Sequence, residues 1–277
     1  DNPQDVLYEA IRTNAFYNNP FKDSVIGTVD DINSIDKDVL FTCYNTFYHP
    51  ENMFLVVTGN FDVNDVLNSI IANQRSKKFK KLDSIKIKEY REKDEVVRKR
   101  EVIKKDTEIS KMAYNIKISL NDLDISKRKY NIYLFIIFAI LFDESSLFDE
   151  EAKNEKLMTN SLYVNILNCD THTLISLINE TSSYDRLLEK IVKCLENISI
   201  SKEDLERKKR VLISNEIFSF ENLEIINEMI IDNIIFDGHI ENDMIGLLKS
   251  LNYDELNRVI SSLDLSNNCT VIMQGND

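Results

Sequence analysis

A short pattern near residue 50 returns in degenerate form at the end of the chain. Residues 48–62, YHPENMFLVVTGNFD, run from a helix-like segment through an Asn-containing turn into an apolar strand and a Gly-Asn step. The closing residues, SSLDLSNNCTVIMQGND, repeat that order. If Gly59 and Gly275 are equivalent, far fewer residues precede Gly59 than separate the two glycines. The pattern therefore predicts one complete unit preceded by the tail of another, with the chemistry of the first unit's front encoded elsewhere.

The complete unit is predicted to be an α+β domain. Only 5 Gly and 3 Pro occur in 277 residues, of which 43% are hydrophobic, and this favours long helices over a turn-dense barrel. Apolar runs, some alternating with polar residues, predict strands at 112–120, 162–167, 174–178 and 269–273, with 112–120 buried on one face only. Helical spacing and capping residues predict helices at 126–142, 182–195, 201–220, 223–234 and after Asn252. This order predicts a largely antiparallel sheet covered by helices.

The N-terminal region is predicted to be the tail of the preceding unit. It contains a helix from Pro3, a helix capped by Asp36, an apolar strand at 53–58 and a helix capped by Asp62. The Asp36 helix carries an apolar stripe, which predicts one buried face; its residues are Val39, Leu40, Cys43, Tyr44 and Phe47. The predicted domains are residues 1–75, a charged linker with a first strand at 76–105, and the second half-domain at 106–277.

The linker begins with the basic run KKFKK at residues 77–81. Such a run can bind an acidic partner, but in a chain this acidic we interpret it as a solvated connector.

Charge and hydropathy exclude several classes of partner. A net charge of −13 disfavours nucleic acid and anionic membrane surfaces. The longest apolar run, residues 130–142, is shorter than the roughly 20 residues that span a bilayer, and it is interpreted as a buried helix. No export signal is visible, although truncation would hide one, so a cytoplasmic location is expected. The scattered cysteines are expected to be mostly buried thiols rather than disulfides; they are Cys43, Cys169, Cys194 and Cys269.

No catalytic or metal-binding motif is found. A zinc peptidase needs two imidazoles one helical turn apart, and the three histidines, His49, His172 and His239, have no such spacing. The step Cys169-Asp170-Thr171-His172 is interpreted as a turn histidine and a packed cysteine rather than a metal site. Gly-x-Ser-x-Gly and the glycine-rich phosphate loops are also missing. We therefore predict no catalytic residue and no metal ligand in this chain.

Residues 19–62 resemble the end of the first half of insulinase/pitrilysin-type zinc peptidases, the family that includes the mitochondrial processing peptidases. The matching residues, in order and approximate spacing, are Pro20, Gly27-Thr28, Ile32, Ser34, Tyr48, Pro50, Asn52-Met53 and Gly59. The opening Asp1-Asn2-Pro3 resembles the point just after the family's distal metal-binding Glu region, particularly in the bacterial subgroup named for its association with elongation factor P aminopentanol modification. More loosely, Ser145-Ser146-Leu147-Phe148 and Asn179-Glu180-Thr181 resemble steps of the second half.

The resemblance implies a metallopeptidase half-domain repeat, present here as one complete copy plus the tail of a preceding copy. The family's His-x-x-Glu-His would lie upstream, so zinc is expected in the intact parent protein and in no site of this chain. The family's substrate-holding Arg and Tyr fall on Ala152 and about Thr159. Lys153, beside Ala152, is the tentative substrate-binding residue.

The leading hypothesis is therefore the C-terminal, non-catalytic portion of an insulinase-like zinc metallopeptidase, inactive alone. Its expected partners are a peptide substrate and the missing N-terminal half, with a homologous subunit as a further possibility. The first alternative is a scaffold or partner subunit of the same fold that has lost the metal site. A second is a metal-independent hydrolase using Cys169 or Cys194 with His172.

Overall fold

The computed structural model describes residues 2–79, 81, 85–86, 88–120 and 124–275. Its internal contacts divide the chain into two compact units. Unit 1 comprises residues 1–25, 90–212 and 246–277, and unit 2 comprises residues 26–89 and 213–245. The boundaries predicted after residues 75 and 105 separate the two halves of the repeat. The division into compact units does not test them, so they stay a prediction. Lys80 of the basic run and the closing Asn276-Asp277 of the repeated pattern lie outside the described residues.

Eleven α-helices and five strands occur among the described residues. The helices are α1 (Pro3–Ala15), α2 (Val29–Ser34), α3 (Lys37–Phe47), α4 (Val63–Arg75), α5 (Lys127–Phe142), α6 (Leu147–Asn154), α7 (Tyr184–Glu196), α8 (Lys202–Ser219), α9 (Leu223–Asp232), α10 (Met244–Ser250) and α11 (Tyr253–Ser262). The strands are β1 (Arg100–Lys104), β2 (Lys111–Ser119), β3 (Tyr163–Asn168), β4 (His172–Glu180) and β5 (Asn268–Gln274). A π-helical turn, Asn233–Asp237, follows α9.

The strands of unit 1 form one sheet in the order β1-β5-β2-β4-β3. Only β1 and β5 pair in parallel, and the other three pairings are antiparallel. The register on the central strand places Tyr114 opposite Leu177 on one side and Thr270 on the other. The predicted α+β class, a largely antiparallel sheet covered by helices, is confirmed.

Most predicted helix starts are confirmed by side-chain caps. The carboxylates of Asp36 and Asp62 accept hydrogen bonds from the first-turn amides of α3 and α4, and Asn252 does the same for α11. Ser201 and Asp204 form a reciprocal pair at the start of α8, with Asp204 N donating to Ser201 Oγ at 3.0 Å. These caps satisfy amides that have no intrahelical acceptor, and so they fix where each helix begins.

One face of the sheet is covered by α1. Its buried residues pack against the strand residues that face it; the resulting core consists of Leu7, Ala10, Ile11, Ala15, Phe16, Val96, Ala113, Cys169, Leu174, Ile178, Cys269, Val271 and Met273. The prediction that β2 is half-buried was wrong, because Ala113, Asn115 and Lys117 on the α1 side are buried as fully as the apolar residues opposite. A central strand with helices on both faces has no solvated side.

The opposite face is covered by helices that include α5 and α7. The predicted α5 begins at its Ser126 cap and buries eight residues, and its Phe142 ring meets that of Phe148 edge to face at 5.0 Å. Residues 127–154 are the one described helical stretch with the length and hydropathy of a membrane span, and half of that apolar window is buried inside the fold. The buried share agrees with the core helix predicted from the sequence.

Unit 2 departs from the predictions. Residues 53–58 form no strand, since no described strand pairs with them and a strand requires a hydrogen-bonding neighbour. The apolar stripe of α3 is exposed rather than buried, with Leu40 60% and Tyr44 58% accessible. Cys43, on that stripe, is an exposed free thiol, whereas Cys169 and Cys269 are buried as expected.

Candidate functional site

The predicted substrate-binding residue, Lys153, lies on α6 and is held by two protein groups. Its Nζ lies 2.8 Å from Asp149 Oδ2, and it donates to Ser161 Oγ at 2.8 Å. The Asp149 side chain is 3% exposed, so the ammonium compensates a buried carboxylate. These contacts tie α6 to the residues leading into β3. The role of Lys153 toward a peptide stays a prediction.

The two neighbouring family positions differ in exposure. The methyl group of Ala152 is fully buried, so it faces the core and cannot contact a peptide. Thr159 is exposed in the loop after α6. Within this segment, only Lys153 and Thr159 offer polar groups at the positions that the resemblance assigns to substrate holding.

A cavity of about 390 Å³ opens beside the start of β3. Apolar side chains from α5 and β3 form much of its wall, and charged groups form the rest; the lining residues are Phe135, Ala139, Asp143, Glu144, Ser161, Leu162, Tyr163, Val164 and Lys208. Phe135 and Tyr163 are 45% and 56% exposed, so aromatic surface faces solvent beside it. A partly apolar concavity with a few charged groups is a typical ligand site.

An ion pair forms part of the cavity wall. Lys208 Nζ lies 2.6 Å from Asp143 Oδ2, and Ser145 donates to Asp143 Oδ1 through its amide at 3.0 Å and its hydroxyl at 2.7 Å. Burial acts to raise the pKa of Asp143, but the hydrogen bonds from Lys208 and Ser145 outweigh it and hold the pKa below its ordinary value. Asp143 and Lys208 cancel one another, which leaves the carboxylate of Glu144 as the net charge of the cavity.

A second polar cluster lies on the α1 side of the sheet, around Lys117. This ammonium is fully buried; its Nζ lies 2.7 Å from Glu92 Oε1, donates to Ala15 O at 3.0 Å and Glu95 O at 3.1 Å, and sits 5.2 Å from the Phe16 ring centre. All three of its protons can therefore be satisfied without water. The pair cross-links α1, β2 and the segment before β1.

Glu92 is the anionic half of this cluster, with a side chain 1% exposed. Its carboxylate accepts hydrogen bonds from the amides of Tyr17, Asn18 and Asn19 at 2.7–2.9 Å. Burial acts to raise the pKa of Glu92, but the bond from Lys117 and these three amide bonds prevail and lower the pKa to about 2. The predicted solvated connector is therefore packed against the fold at this point.

His172 and Asp94 extend the cluster toward solvent. His172 Nε2 lies 3.0 Å from Asp94 Oδ1, which also accepts from Ser119 Oγ at 2.5 Å, and His172 Nδ1 lies 2.8 Å from Thr171 Oγ1. Burial lowers the pKa of His172 despite the hydrogen bond to Asp94. Both ring nitrogens lie within hydrogen-bond distance of oxygen atoms, of Asp94 and of Thr171. His172 is therefore oriented by Asp94, but neither ring nitrogen is directed at a cysteine thiol.

The thiols are unsuited to nucleophilic catalysis. Burial raises the pKa of Cys169 to about 12 and also raises the pKa of Cys194. A thiolate is the reactive form, and a raised pKa suppresses it at neutral pH. The alternative of a thiol hydrolase built on Cys169 or Cys194 with His172 is not supported by this geometry.

Among the described residues, no group of three or more His, Cys, Asp or Glu side chains is placed to hold an ion. Zinc chemistry accordingly has no set of donors in the described ranges.

Sequence reasoning missed both the Lys117 cluster and the cavity. The sequence does contain a signal for the Lys117 cluster. Lys117 follows Ala113 and Asn115 on one face of a strand that carries few charges. If that face is buried, an isolated lysine on it needs a buried partner. The sequence does not single out Glu92 as that partner, because Glu92 is one of several acidic residues in a charged run. The cavity brings together residues from α5, β3 and α8, and no sequence spacing encodes that meeting.

Comparison with known families settles the class of the fold. The family model described as Peptidase M16 inactive domain matches residues 34–212. This chain belongs to the M16 peptidase inactive domain family.

Relatives of this M16 inactive domain include a curated zinc protease. The chain is 29% identical over 217 residues to a protein named "Uncharacterized zinc protease YmfH" from Bacillus subtilis (strain 168), a match that covers 76% of this chain and 50% of that protein. The match thus extends over about half the length of this relative.

Solved structures support the same fold. A putative M16-like peptidase from Alicyclobacillus acidocaldarius superposes with a TM-score of 0.90 and 21% identity, covering 100% of this chain and 67% of the other. A protease from Helicobacter pylori gives 0.83 with 18% identity, covering 98% and 67%. The predicted membership of a zinc peptidase family, as its non-catalytic C-terminal portion, is confirmed.

Proposed function

We propose that this M16 inactive domain closes over an extended peptide while a separate, upstream half holds zinc and hydrolyses the peptide bond. The family match over residues 34–212 is the observation that carries the proposal. The name of the relative YmfH, a zinc protease, supports zinc in the parent protein. In that parent, a zinc-bound water would attack the peptide carbonyl with an upstream glutamate as general base.

Exposed apolar surface in unit 2 supports an upstream half as the partner. The helices α3 and α4 contain no buried residue, and the apolar segment 53–58 is largely exposed. So many exposed large apolar side chains in one stretch of chain are typical of an interaction surface. We propose that it packs against the first, metal-binding half.

Zinc content and peptide cleavage test the proposal. We expect the 277-residue chain to bind no stoichiometric zinc and to cleave no unstructured peptide, and the natural gene product that includes the upstream region to do both. Replacing the upstream general-base glutamate with glutamine should abolish cleavage and leave zinc bound. Stoichiometric zinc with turnover by the 277-residue chain alone would refute the assignment.

A scaffold function is the second candidate. Full burial of Ala152, where the family places a substrate-holding arginine, favours it. This candidate predicts that the longer gene product neither binds zinc nor cleaves peptide, yet still associates with a homologous subunit during co-purification.

We also propose a cytoplasmic location. All four cysteines are free thiols and Cys43 is exposed, which is typical of a reducing compartment. Cell fractionation followed by detection of the protein with a specific antibody tests this location.

A further inference from the structure

We propose that a lysine-selective endopeptidase cuts this chain between Lys78 and Phe79, and that the cut chain remains one assembled, two-chain protein. The site lies at the start of the basic run at residues 77–81. This inference goes beyond the proposed function, because it concerns the covalent form of the protein and not the reaction of its parent.

Residues 77–79 form an exposed segment outside regular structure. They follow α4, belong to no helix or strand and are all exposed. Within the part of the chain that the structure describes, the ammonium groups of Lys77 and Lys78 have no hydrogen-bond or ion-pair partner. Endopeptidases of the trypsin type bind a lysine side chain through a carboxylate in their specificity pocket. Both lysines are therefore free to enter such a pocket.

Two other basic runs are held by the fold. Lys99, directly before β1, donates from its Nζ to Ser266 O at 2.8 Å. Lys208 and Lys209 lie within α8 and are buried. A helix or strand must open before an endopeptidase can bind it in extended form, whereas an exposed loop needs no such opening. Residues 77–79 are therefore cut first.

Hydrolysis at this point breaks one amide bond. Water adds to the Lys78 carbonyl carbon and the bond to the Phe79 nitrogen breaks, which leaves a carboxylate on Lys78 and an amino group on Phe79. The Phe79 side chain is 48% exposed, and its ring lies 5.6 Å from that of His49. The cut therefore disturbs no fully buried side chain.

Each compact unit contains chain from both sides of the cut. The segments are residues 1–25 with 90–212 and 246–277 in unit 1, and residues 26–78 with 79–89 and 213–245 in unit 2. Two domains that follow one another along a chain would separate when their linker is cut. Here neither unit can leave without giving up part of its own structure.

The contact between the two pieces in unit 1 is part of its core. Leu7, Ile11 and Phe16, which precede the cut, are at most 2% exposed. They pack in one cluster with residues of β2, β4 and β5, which follow the cut. The backbone is joined too, since Asn14 O accepts a hydrogen bond from Val97 N at 2.8 Å. Burial of this apolar surface favours association whether or not the chain is continuous.

Unit 2 also has contacts across the cut. Asn227 Nδ2 donates to Thr58 Oγ1 at 3.1 Å, and Thr58 Oγ1 donates to Leu223 O at 3.4 Å. Thr58 precedes the cut, whereas α9, which contains the other two residues, follows it. Both units therefore hold the two pieces together.

The same cut has a consequence for a longer gene product. An upstream half would stay on one chain with residues 1–78, and the non-catalytic residues 79–277 would form the other chain. A single-chain peptidase would thus become an assembly of two subunits without dissociating. This consequence alone rests on the proposed function.

Limited proteolysis of the folded 277-residue chain tests the inference without any activity of the chain itself. The probe is trypsin, with the cut sites identified by mass spectrometry and the size of the product by native gel filtration. We expect the first cut at residues 77–79, about tenfold faster than at any basic residue within a helix or strand. The product should elute as one species of the size of the uncut chain and separate only in denaturant.

Matched glutamine variants test the site. One variant replaces every lysine of the basic run: Lys77→Gln, Lys78→Gln, Lys80→Gln and Lys81→Gln. We expect its first cut to be about tenfold slower than that of the wild type. The control, Lys104→Gln with Lys105→Gln at the end of β1, should leave the rate unchanged.

Two outcomes would overturn the inference. One is a first cut of the wild type in another part of the chain. The other is a cut product that elutes as two separate pieces without denaturant.

Discussion

At the scale of single residues, a buried ion pair joins parts of unit 1 that are far apart in sequence. Lys117 and Glu92 bury an ion pair between β2 and the segment before β1, with side chains 0% and 1% exposed. Buried pairs of this kind tolerate the loss of both partners far better than the loss of one, because a lone charge remains without water.

Replacing Lys117 with methionine tests the pair. We expect Lys117→Met to lower the free energy of unfolding by about 3 kcal/mol, since it leaves the Glu92 carboxylate buried beside three amides but no cation. The control, Lys111→Met at the partly buried start of the same strand, removes a pair whose partner Glu180 is 53% exposed and should cost under about 1 kcal/mol. Urea unfolding measures both, and equal losses would contradict the assignment.

Acid should weaken the fold through Glu92. Its folded pKa of about 2 lies below the ordinary value of 4.5, so the stabilisation is complete above about pH 4.5 and is lost as the pH falls toward 2. The lowered pKa corresponds to about 3 kcal/mol. Glu92→Gln should be less stable than the wild type near neutral pH, and the gap should narrow as the pH falls. Urea midpoints at several pH values measure this, and a gap that is constant with pH would contradict it.

At the scale of elements, α6 ends in a strained residue. Lys156 has a φ of 57°, and the bonds Leu157 N to Ala152 O and Lys156 N to Lys153 O form a Schellman motif. Glycine adopts this conformation without steric cost, whereas a residue with a Cβ does not.

Lys156→Gly should therefore stabilise the protein by about 0.5–1 kcal/mol, the steric relief being partly offset by the greater freedom of glycine in the unfolded chain. Asn154→Gly, two residues earlier inside the helix, is the matched control and should destabilise by about 0.3 kcal/mol. Thermal unfolding of the two variants should show melting temperatures displaced in opposite directions.

The sequence predicted the elements of unit 1 well and those of unit 2 less well. Caps such as Asp36, Ser126 and Asn252 act within one turn, so local chemistry located the helix starts. The strand predicted at 53–58 depends on a neighbouring strand, which local pattern does not report. The short α6 and α10 were missed because eight and seven residues carry too little periodicity.

The sequence was sufficient to predict the family, but it did not predict the Lys117 cluster or the cavity beside β3. The motif residues around Gly27 and Pro50 were enough to identify the metallopeptidase family. Lys117, Glu92 and the cavity beside Tyr163 depend on contacts between residues far apart in sequence, and only the folded chain shows them.

At the scale of the whole molecule, the two units differ in how much they bury. Residues of α3 and α4 in unit 2 are exposed or intermediate, whereas the interior of β2 in unit 1 is buried throughout. Amide protection follows burial and local contact density.

Hydrogen exchange should report this difference. In the 277-residue chain we expect amides of α3 and α4 to exchange about a hundredfold faster than those of β2. In the longer gene product with the upstream half, protection of α3 and α4 should rise and that of β2 should stay constant. Mass spectrometry of the exchanged peptides measures both, and unchanged protection of α3 in the longer protein would contradict the proposed pairing.

The sheet order also has a consequence for biosynthesis. β1 has β5 as its hydrogen-bonded neighbour, and β5 lies between β1 and β2. A ribosome synthesises β1 well before residues 268–274. Until β5 has been made, β1 has no strand to pair with. β1 can therefore join the sheet only after residues 268–274 have been synthesised.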